Sequence, residues 1–595
     1  MVAKVKAPSP SMSAPGDARD RTLAPTGKFR WALLIAQALI FAVIAHLSSR
    51  FEFHSEFQQR PILLVLGLLA IAFVLHIASL RLILRESNHS AMTRHVLLGG
   101  VLFRLLLLPS HPIQEVDIYR YLWDGAVVAS GHNPYRFSPK QVLEAPQADD
   151  KDLELQSFAE LKVRESSSQE VLARVHFGEL ITVYPPVSQE VFGLASLLVP
   201  AEASLYRRLL TMKIVLTGFD LGILWLVVLI LRRMQRHPGW AILYGWSPLV
   251  LKEFANSGHL DSIAVFLTTA AILTLISGLD APRTEIRVTW LLSSAILLGL
   301  GVGAKLYPIV LVPVLTLWVW RTVGRRTSAG YGAAALITTA VALAPMILTQ
   351  PAPTSTIRIP LETNGGLVKD ISADDSSETA RSGLATFLSR WEINDLIFMV
   401  VVENMRPDIG DANAKSDARM THWFVILPQS LRVSASEQLS TLLQRPVPEA
   451  TFLTARAFTL FLFVVIVSFL LAWGMRQNDP HAWLRVSFLT LAWFWALAPT
   501  LNPWYWTWVL PLIPFSGRRT WIMVSLLVFA YYLRFWVLYH SADSAVLNLH
   551  DRGEDLFHFA IVPVEHLLWL AALSIESLSF RSVSVVTEAD SSVAV

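Results

Sequence analysis

Long apolar blocks alternate with short connectors that hold Arg, Lys or Pro, and this pattern restricts the fold more than any other feature. The blocks run for roughly 15 to 24 residues, the length of helix that crosses about 30 Å of hydrocarbon. Only helices and closed barrels satisfy their backbone groups in lipid, and barrel strands alternate over much shorter segments. With 53% hydrophobic and 16% charged residues, the 595-residue chain is predicted to be an all-α polytopic membrane protein.

The apolar blocks predict about 12 to 14 membrane-spanning helices. The stretches assigned to the membrane are 31–47, 61–84, 94–108, 210–231, 240–254, 260–278, 288–304, 306–320, 331–348, 453–474, 485–500, 504–516, 521–539 and 557–577. A further apolar stretch, 187–199, is short for a span, and we expect it to re-enter the membrane or lie at its interface. If it crossed instead, Arg207, Arg208 and Lys213 would move to the cytoplasmic side, but the later basic clusters would face the wrong way.

Basic residues cluster in the connectors and predict which loops stay in the cytoplasm. The connectors placed there hold Arg81, Arg85 and Arg94; Arg232, Arg233 and Arg236; Arg283 and Arg287; Arg321, Arg325 and Arg326; and Arg518 and Arg519. The predicted regions are a disordered cytoplasmic tail (1–28), three spans (29–108), a first outer loop with juxtamembrane helices (109–209), a transmembrane bundle (210–348), a second outer loop (349–452), a C-terminal bundle (453–577) and a cytoplasmic tail (578–595). We therefore expect distant polar junctions to converge with both loops on the non-cytoplasmic face.

Composition and missing motifs exclude several kinds of chemistry. The chain has no cysteine, which removes disulfides, thiolate metal sites and cysteine nucleophiles. Its net charge of +3 comes from the connectors, so it indicates topology and no nucleic-acid partner. No phosphate-binding loop or dinucleotide glycine motif is visible. The acidic string Asp149-Asp150-Lys151-Asp152 lies in a polar loop and is interpreted as solvated charge.

The segment from Glu115 to Pro134 is the most unusual stretch beside a membrane span. Helical spacing places Asp117, Tyr121 and Asp124 on one stripe, with Ile118 and Leu122 turned towards the membrane. The turn signal Gly131-His132-Asn133-Pro134-Tyr135 ends the helix. A helix lying flat on the membrane would thus aim two carboxylates into a cleft. The structural alternative is that Asp117 caps the helix and the aromatic residues form an interfacial belt.

Other polar side chains lie at the ends of predicted spans, where charges are costly unless they are paired or functional. These are Lys252, Glu253, His259 and Asp261 at one junction, Lys305 at a second, Arg104 inside the third span, and Trp504 and Tyr505 at the start of another. The structural alternatives are a Lys252–Glu253 pair, a snorkelling Lys305 and aromatic anchors. An Arg in hydrocarbon needs an anion or carbonyls, so Arg104 is a candidate for binding phosphate.

The motifs occur in a recognisable order along the chain. They are Asp117 with Tyr119-Arg120-Tyr121-Leu122-Trp123-Asp124-Gly125, Gly131 with Asn133-Pro134-Tyr135, Tyr184-Pro185-Pro186, His259 with Asp261, Lys305 with Tyr307-Pro308, and Pro503-Trp504-Tyr505. This series resembles the motifs of bacterial GT-C glycosyltransferases, above all the polyprenol-phosphomannose-dependent α-mannosyltransferases and their relatives. Two features depart from that pattern. The chain has His259-Leu260-Asp261 where relatives often have His-Asn-Asp, and its second outer loop is long and polar.

The resemblance implies a GT-C-like bundle in the bacterial inner membrane, with its active site facing outside. The implied reaction is the inverting transfer of a hexose, foremost mannose, from a polyprenyl-phosphate donor to a glycan or glycolipid acceptor. Asp117 would be the catalytic base. The other implied roles are support or substrate binding for Asp124, Tyr121, His259, Asp261, Trp504 and Tyr505, and binding of the lipid phosphate for Arg104, Arg120, Lys252 and Lys305. The resemblance implies that no cofactor is required, and such a site is compatible with a divalent metal.

Two rival functions fit the same sequence. A transporter or flippase of lipid-linked saccharides would bind the same headgroup without needing a base. A non-catalytic scaffold of envelope assembly would neither bind nor consume such lipids. The second loop adds a further hypothesis, because Gly383 to Ile397 holds Trp391, Asn394 and Asp395 in an apolar setting. It predicts either a second amphipathic helix over the cleft or a structured cap.

Overall fold

The structure is a computed structural model that describes residues 25–145, 153–164, 167–352, 383–384, 387, 391–407, 423–543, 546–549 and 552–592. The N-terminal residues 1–24, the acidic string at 149–152 and the parts 353–382, 385–386, 388–390 and 408–422 of the second outer loop lie outside the described residues. The predictions made for those segments therefore remain predictions.

Helices make up nearly all of the described regular structure. The N-terminal half contains α1 Pro25–Leu47, α2 Ile62–Leu84, α3 His89–Leu107, α4 Asp117–Ala129, α5 Pro139–Glu144, α6 Leu153–Arg164, α7 Ser168–Arg174, α8 Pro186–Leu197, α9 Leu205–Arg233, α10 Ile242–Gly245 and α11 Pro248–Val250. The rest contains α12 Asp261–Leu279, α13 Thr284–Ala304, α14 Leu311–Thr322, α15 Arg325–Leu348, α16 Ile397–Glu403, α17 Gln429–Leu443, α18 Val447–Met475, α19 Pro480–Ala496, α20 Thr520–Leu527, α21 Leu533–His540, α22 Gly553–Leu556 and α23 Val562–Ser592. Within this part of the chain, extended pairing is limited to one isolated bridge between Ile393 and Thr500.

Ten described helices are long and apolar enough to cross a membrane. They are Gly27–Phe51, Phe57–Leu84, His89–Leu107, Leu205–Arg233, Asp261–Leu279, Thr284–Ala304, Arg325–Leu348, Val447–Met475, Thr520–His540 and Gly553–Leu578. Their length matches the hydrocarbon thickness, and large apolar side chains remain exposed along their outer faces. The prediction of an all-α polytopic membrane protein is confirmed.

The bundle has two ends, which we call the basic end and the loop end. The basic end gathers the Arg-containing connectors, where Arg30 Nη1 lies 2.5 Å from Glu86 Oε2 and Arg518 Nη1 donates to Glu576 O at 2.6 Å. The loop end gathers the first outer loop and the polar junctions, and Asn256 Nδ2 donates there to Ser110 Oγ at 2.8 Å. The predicted convergence of distant junctions at one end is therefore confirmed by direct contacts.

Four more segments run between the same two ends: 238–256, 307–322, 480–496 and 503–515. The described residues thus contain ten candidate spans at predicted positions and one shorter apolar helix, Tyr307–Thr322, and the full number of 12 to 14 spans stays a prediction. Two of the four are irregular, so the regular helices predicted at 240–254 and 504–516 are wrong in form. Segment 238–256 combines a 3-10 turn, two short helices and a π-helical turn, and 503–515 consists of 3-10 turns.

Prolines explain the irregular backbone of these two passages. Pro238 and Pro248 each begin a new turn, and Pro503 and Pro511 do the same in the second segment, because proline has no N–H to continue a helix. Nearly every residue of both segments is buried by protein. Irregular backbone is tolerated at membrane depth only where protein or water, not lipid, surrounds it. Burial by the neighbouring helices therefore allows these two segments to depart from the regular helix that the sequence pattern predicted.

The short apolar stretch 187–199 stays at the loop end and does not cross. It forms most of α8, whose Ser188 Oγ donates to Ala304 O at 2.8 Å, while Arg208 Nη2 donates to Ala201 O at 2.8 Å just beyond it. Lys213, which this topology leaves at the loop end, donates to Ser110 O at 2.7 Å. The Lys213 ammonium group thus donates to a carbonyl just beyond the C-terminus of α3. A positive charge is favourable at the C-terminal end of a helix.

Helix α4 is buried within the protein. Ile118 is 1% exposed and Leu122 is 6% exposed, so the prediction that they face lipid is wrong. The reason is the first outer loop itself, which supplies α7 and α8 as packing partners. Gly125 permits this approach, because a Cβ there would lie 2.5 Å from Phe192 O. Gly131, with φ of +80°, follows the end of the helix where the turn was predicted.

Candidate functional site

Asp117 is the first residue of α4 and remains half-exposed at the loop end. The residue before it, Val116, occupies the N-cap position, and no side chain caps the helix there. The structural alternative that Asp117 is the capping residue is therefore wrong. A carboxylate in the first turn also interacts favourably with the positive end of the helix dipole. The fold thus holds Asp117 at a helix start with its carboxylate partly accessible.

The neighbouring Glu115 and residues from three distant parts of the chain lie near Asp117. It interacts electrostatically with Glu115, His259, Lys305 and Tyr505. These residues come from the start of the first outer loop, the two polar junctions that flank α12 and α13, and the 3-10 turn Pro503–Trp508. The structure therefore brings the predicted residues Asp117, His259, Lys305 and Tyr505 to one place.

Lys305 and Asp261 form the first polar pair beside Asp117. Lys305 Nζ lies 3.4 Å from Asp261 Oδ2, and Trp508 Nε1 donates to Asp261 Oδ1 at 2.6 Å. Asp261 is fully buried, whereas 17% of the Lys305 side chain is exposed. Burial disfavours the Lys305 charge most strongly, but Asp261, Tyr505 and Asp117 together outweigh it and raise the lysine pKa. Lys305 is therefore a cation with an open side.

Aromatic rings enclose this pair and its neighbours. Lys305 Nζ lies 5.2 Å from the centroid of Tyr505 and 5.9 Å from that of Tyr184. Tyr505 stacks on Trp508 with 4.4 Å between centroids, and Trp504 stacks on His259 with 4.1 Å. Such faces stabilise a cation and also suit a sugar ring or an isoprenoid chain. The predicted residues Trp504 and Tyr505 thus line the site rather than anchor the bundle in the interface.

A buried cluster of five ionisable side chains adjoins Asp117 on its other side. Lys252 Nζ lies 3.2 Å from Glu253 Oε2 and 3.8 Å from Glu115 Oε1, and it also donates to the Tyr532 hydroxyl. His259 Nε2 lies 3.3 Å from Glu253 Oε2. Burial raises the pKa of Glu115 to about 7, although the positive charge of Lys252 opposes this shift. The structural alternative of a Lys252–Glu253 pair is confirmed, but the pair belongs to a larger network.

Three members of the cluster carry groups that bind metals. Ligand atoms of Glu115, Glu253 and His259 all lie within 4.8 Å of one another, which makes them the one such group among the described residues. Lys252 already supplies a positive charge to both carboxyls. A divalent ion in the same volume would be repelled by that ammonium group. The geometry therefore suits a hydrogen-bonded ion network better than a metal centre.

Arg120 and Asp124 bind each other. Arg120 Nε donates to Asp124 Oδ1 at 2.9 Å, and Gln189 Nε2 donates to Asp124 Oδ2 at 3.0 Å. Arg120 Nη1 donates to Leu180 O at 2.9 Å, while its buried Nη2 has no hydrogen-bond partner in the described structure. Tyr121 is buried and stacks on Phe192 at 4.7 Å. These contacts join α4 to α8, and only the Arg120 Nη2 group is left for a ligand.

Arg104 is fully engaged by protein groups deep in the bundle. Its Nε and Nη2 donate to the two carboxylate oxygens of Asp220 at 2.7 and 2.8 Å. Its Nη1 donates to Gly100 O and Gly245 O, and Tyr244 also donates to Asp220. An arginine at membrane depth needs an anion or backbone carbonyls, and Arg104 has both kinds of partner. These four hydrogen bonds and an exposure of 1% keep the Arg104 guanidinium from serving a lipid phosphate.

Several residues of the site were not selected from the sequence. The signal for Glu115 was its position two residues before Asp117. Tyr184 had a signal only as the residue before two prolines. Tyr532 and Trp508 lie in apolar or aromatic stretches without a local signal. Their roles depend on contacts with residues hundreds of positions away, such as the 2.8 Å contact of Tyr532 with Glu253.

No known protein family, curated protein or solved structure matches this chain. Its class therefore follows from its own fold and residues. It is an all-α polytopic membrane protein with a polar and aromatic site at the loop end of its bundle.

Proposed function

We propose that the protein transfers a hexose, foremost mannose, from a polyprenyl-phosphate carrier to an acceptor hydroxyl. The observation that carries this proposal is the position of Asp117. It is a half-exposed carboxylate beside a lysine and an aromatic enclosure, at one end of a membrane bundle. A lipid-linked sugar needs a polar site of this kind for its headgroup and an adjoining bilayer for its chain.

In the proposed reaction, Asp117 acts as the general base. It accepts the proton of the acceptor hydroxyl while that oxygen forms a bond to the anomeric carbon. The bond between the anomeric carbon and the phosphate oxygen breaks, and its electron pair leaves with the polyprenyl phosphate. Attack from the face opposite the leaving group inverts the anomeric centre. A nearby carboxylate also stabilises the positive charge that develops on the sugar ring.

The leaving phosphate requires a cation, and Lys305 is the best candidate. Its ammonium group is partly exposed and faces both Asp261 and the aromatic rings. Lys252 is only 2% exposed and is already shared by two carboxyls, and Arg104 is buried and paired with Asp220. Arg120 can add one donor through its unpartnered Nη2. Fixed donors of this kind stabilise developing charge because they need no rearrangement.

The proposed setting is the bacterial inner membrane, with the site on its outer face. The basic end gathers the arginine-rich connectors, and such connectors favour the cytoplasm. The loop end would then open to the outer leaflet, where a glycan or glycolipid acceptor could reach Asp117. The bilayer itself would hold the isoprenoid chain of the donor.

The test uses full-length protein in vesicles, a radiolabelled polyprenyl phosphomannose donor and a glycolipid acceptor. Asp117→Asn should retain donor binding and lose roughly 100-fold or more of its turnover, since the amide cannot accept the proton. The exposed Glu56→Gln serves as the control and should behave like the wild type. Full turnover by Asp117→Asn would overturn the assignment of the base. Donor translocation without any product, unaffected by Asp117→Asn, would instead identify a flippase.

A further inference from the structure

The Tyr532 hydroxyl makes two short contacts with carboxyl groups. Its oxygen lies 2.9 Å from Glu115 Oε1 and 2.8 Å from Glu253 Oε1, and Lys252 donates to the same oxygen. A tyrosine hydroxyl carries one proton and can donate to only one of the two carboxyls. The other contact would place two unprotonated oxygens together unless that carboxyl brings its own proton. One of the two glutamates must therefore be a neutral acid.

The positions of the cations decide which glutamate is ionised. Lys252 Nζ lies 3.2 Å from Glu253 but 3.8 Å from Glu115. His259 Nε2 lies 3.3 Å from Glu253 and 3.9 Å from Glu115. The negative charge is thus better stabilised on Glu253, and the proton belongs to Glu115. The upward shift of the Glu115 pKa, caused first by burial, agrees with this assignment.

We infer that Glu115 is a positioning residue that acts as a neutral acid: it donates to Tyr532, and Tyr532 donates to Glu253. The charge of Glu253 then faces Lys252, and Glu115 adds no further negative charge to the cluster beside Asp117. An anionic donor would meet Asp117 and two carboxylates that each have a lysine partner, Glu253 and Asp261, but no other ionised carboxyl of this cluster. This last consequence rests on the proposed function, whereas the protonation state of Glu115 does not.

All titratable groups that face Glu115 are consistent with this state. They are Asp117 on α4, Lys252 and Glu253 on the irregular passage, His259 before α12, and Tyr531 and Tyr532 before α21. His259 Nε2 faces the Glu253 carboxylate at 3.3 Å, on the far side of that residue's contact with Lys252. The two basic side chains thus both lie nearer to Glu253 than to Glu115, which leaves Glu115 as the carboxyl that carries the proton.

Infrared spectroscopy of the purified full-length protein tests the protonation state without any substrate. A protonated carboxyl has its own carbonyl band, which should disappear as the pH is raised through neutrality. Glu115→Gln should remove this band, and the control Glu565→Gln, at another buried carboxyl, should leave it in place. A difference spectrum between the wild type and Glu115→Gln without a carbonyl band that titrates through neutral pH would overturn the inference. So would binding of Zn²⁺ that both Glu115→Gln and Glu253→Gln abolish, because a metal needs both carboxylates ionised.

The kinetic test compares two isosteric variants over a pH series. Wild-type turnover should fall by up to about tenfold per pH unit once Glu115 ionises. Glu115→Gln should lack this alkaline fall, because its amide donates to Tyr532 as the neutral acid does. Glu253→Gln should not have this effect, since it removes the charge that balances Lys252. If Glu253→Gln lost the fall in turnover at alkaline pH while Glu115→Gln kept it, the assignment of the proton to Glu115 would be overturned. If the wild type showed the Glu115 carbonyl band but no sugar transfer, only the proposed function would be overturned.

Discussion

Single side chains decide how the site handles charge, and Lys305 is the clearest example. Its position just after α13 was visible in the sequence, but snorkelling was the simpler explanation. The structure gives it a buried partner, Asp261, on one side and leaves the other side open. A lysine held by one carboxylate can still attract a phosphate, whereas one shared by two carboxyls attracts it less.

Replacing Lys305 should therefore impair turnover. Lys305→Met keeps the apolar stem and removes the charge, and we expect a loss of about 100-fold in turnover, as for other fixed donors to a developing charge. Steady-state kinetics with the polyprenyl phosphomannose donor would measure it. Lys140→Met, at a lysine that pairs weakly with Glu144 in the first loop, is the matched control. Equal loss in both variants would contradict a specific role.

Arg104 should behave as a structural residue. Its pair with Asp220 is almost completely buried, so Arg104→Gln leaves an uncompensated carboxylate and should cost about 3 kcal/mol of stability. Thermal unfolding in detergent would show the loss, and the double variant with Asp220→Asn should recover part of it. Donor binding at a temperature where Arg104→Gln remains folded should match the wild type. Unchanged stability with lost donor binding would restore the phosphate role predicted from the sequence.

Glu115 should also make stability depend on pH. Burial raises its pKa from 4.5 to about 7, so between these values the folded protein holds a proton that the unfolded chain releases. Its contribution is complete below about pH 4.5 and is lost as the pH rises through 7, by at most about 1.4 kcal/mol per pH unit. Melting temperatures over this range should fall more steeply in the wild type than in Glu115→Gln. Parallel curves would contradict the raised pKa.

At the scale of elements, the contact between α4 and α8 sets the position of Asp117. Gly125 brings the two helices close, because its missing Cβ would meet the backbone oxygen of Phe192. The sequence predicted α4 and its end but not its burial, since α8 was expected at the membrane interface. Amphipathic spacing shows which residues share a face but not which element covers that face.

Two glycine substitutions separate packing from helix propensity. Gly125→Ala should displace α4, lower stability by about 1 to 3 kcal/mol and reduce turnover, because the new methyl group cannot fit against backbone. Gly67→Ala lies in α2, where nothing occurs within 4 Å of the added Cβ, and should be neutral or slightly stabilising. Melting temperature and transfer rate would be measured for both. Equal tolerance of the two changes would contradict the close approach.

For the whole molecule, the orientation in the membrane decides which leaflet supplies the substrates. The chain has no cysteine, so single substitutions report accessibility without background. Glu202→Cys at the loop end and Thr284→Cys at the basic end are both at exposed positions. In right-side-out vesicles, a membrane-impermeant maleimide should label only Glu202→Cys, and in inverted vesicles only Thr284→Cys. The opposite pattern would place the site on the cytoplasmic face.

The sequence determined the features that depend on local pattern. Hydropathy over about 20 residues predicted the membrane class and the positions of the ten candidate spans, and basic connectors predicted which junctions share an end. The segment after Glu115 predicted a helix with Asp117, Tyr121 and Asp124 on one stripe and a turn at Gly131, and both the helix and the turn are present. These features arise from residues that are neighbours in the chain, so their signals survive without the fold.

Only the tertiary structure decided the partners. Arg104 meets Asp220, Lys305 meets Asp261 and Trp508, and Glu115 meets Tyr532 across more than 400 residues. The same holds for the passage 238–256, which needs no regular helix because protein surrounds it. Burial and charge pairing depend on the three-dimensional neighbours of a group, which no local spacing records. Asp117 thus stands out in the sequence, but the charges that surround it come from the fold.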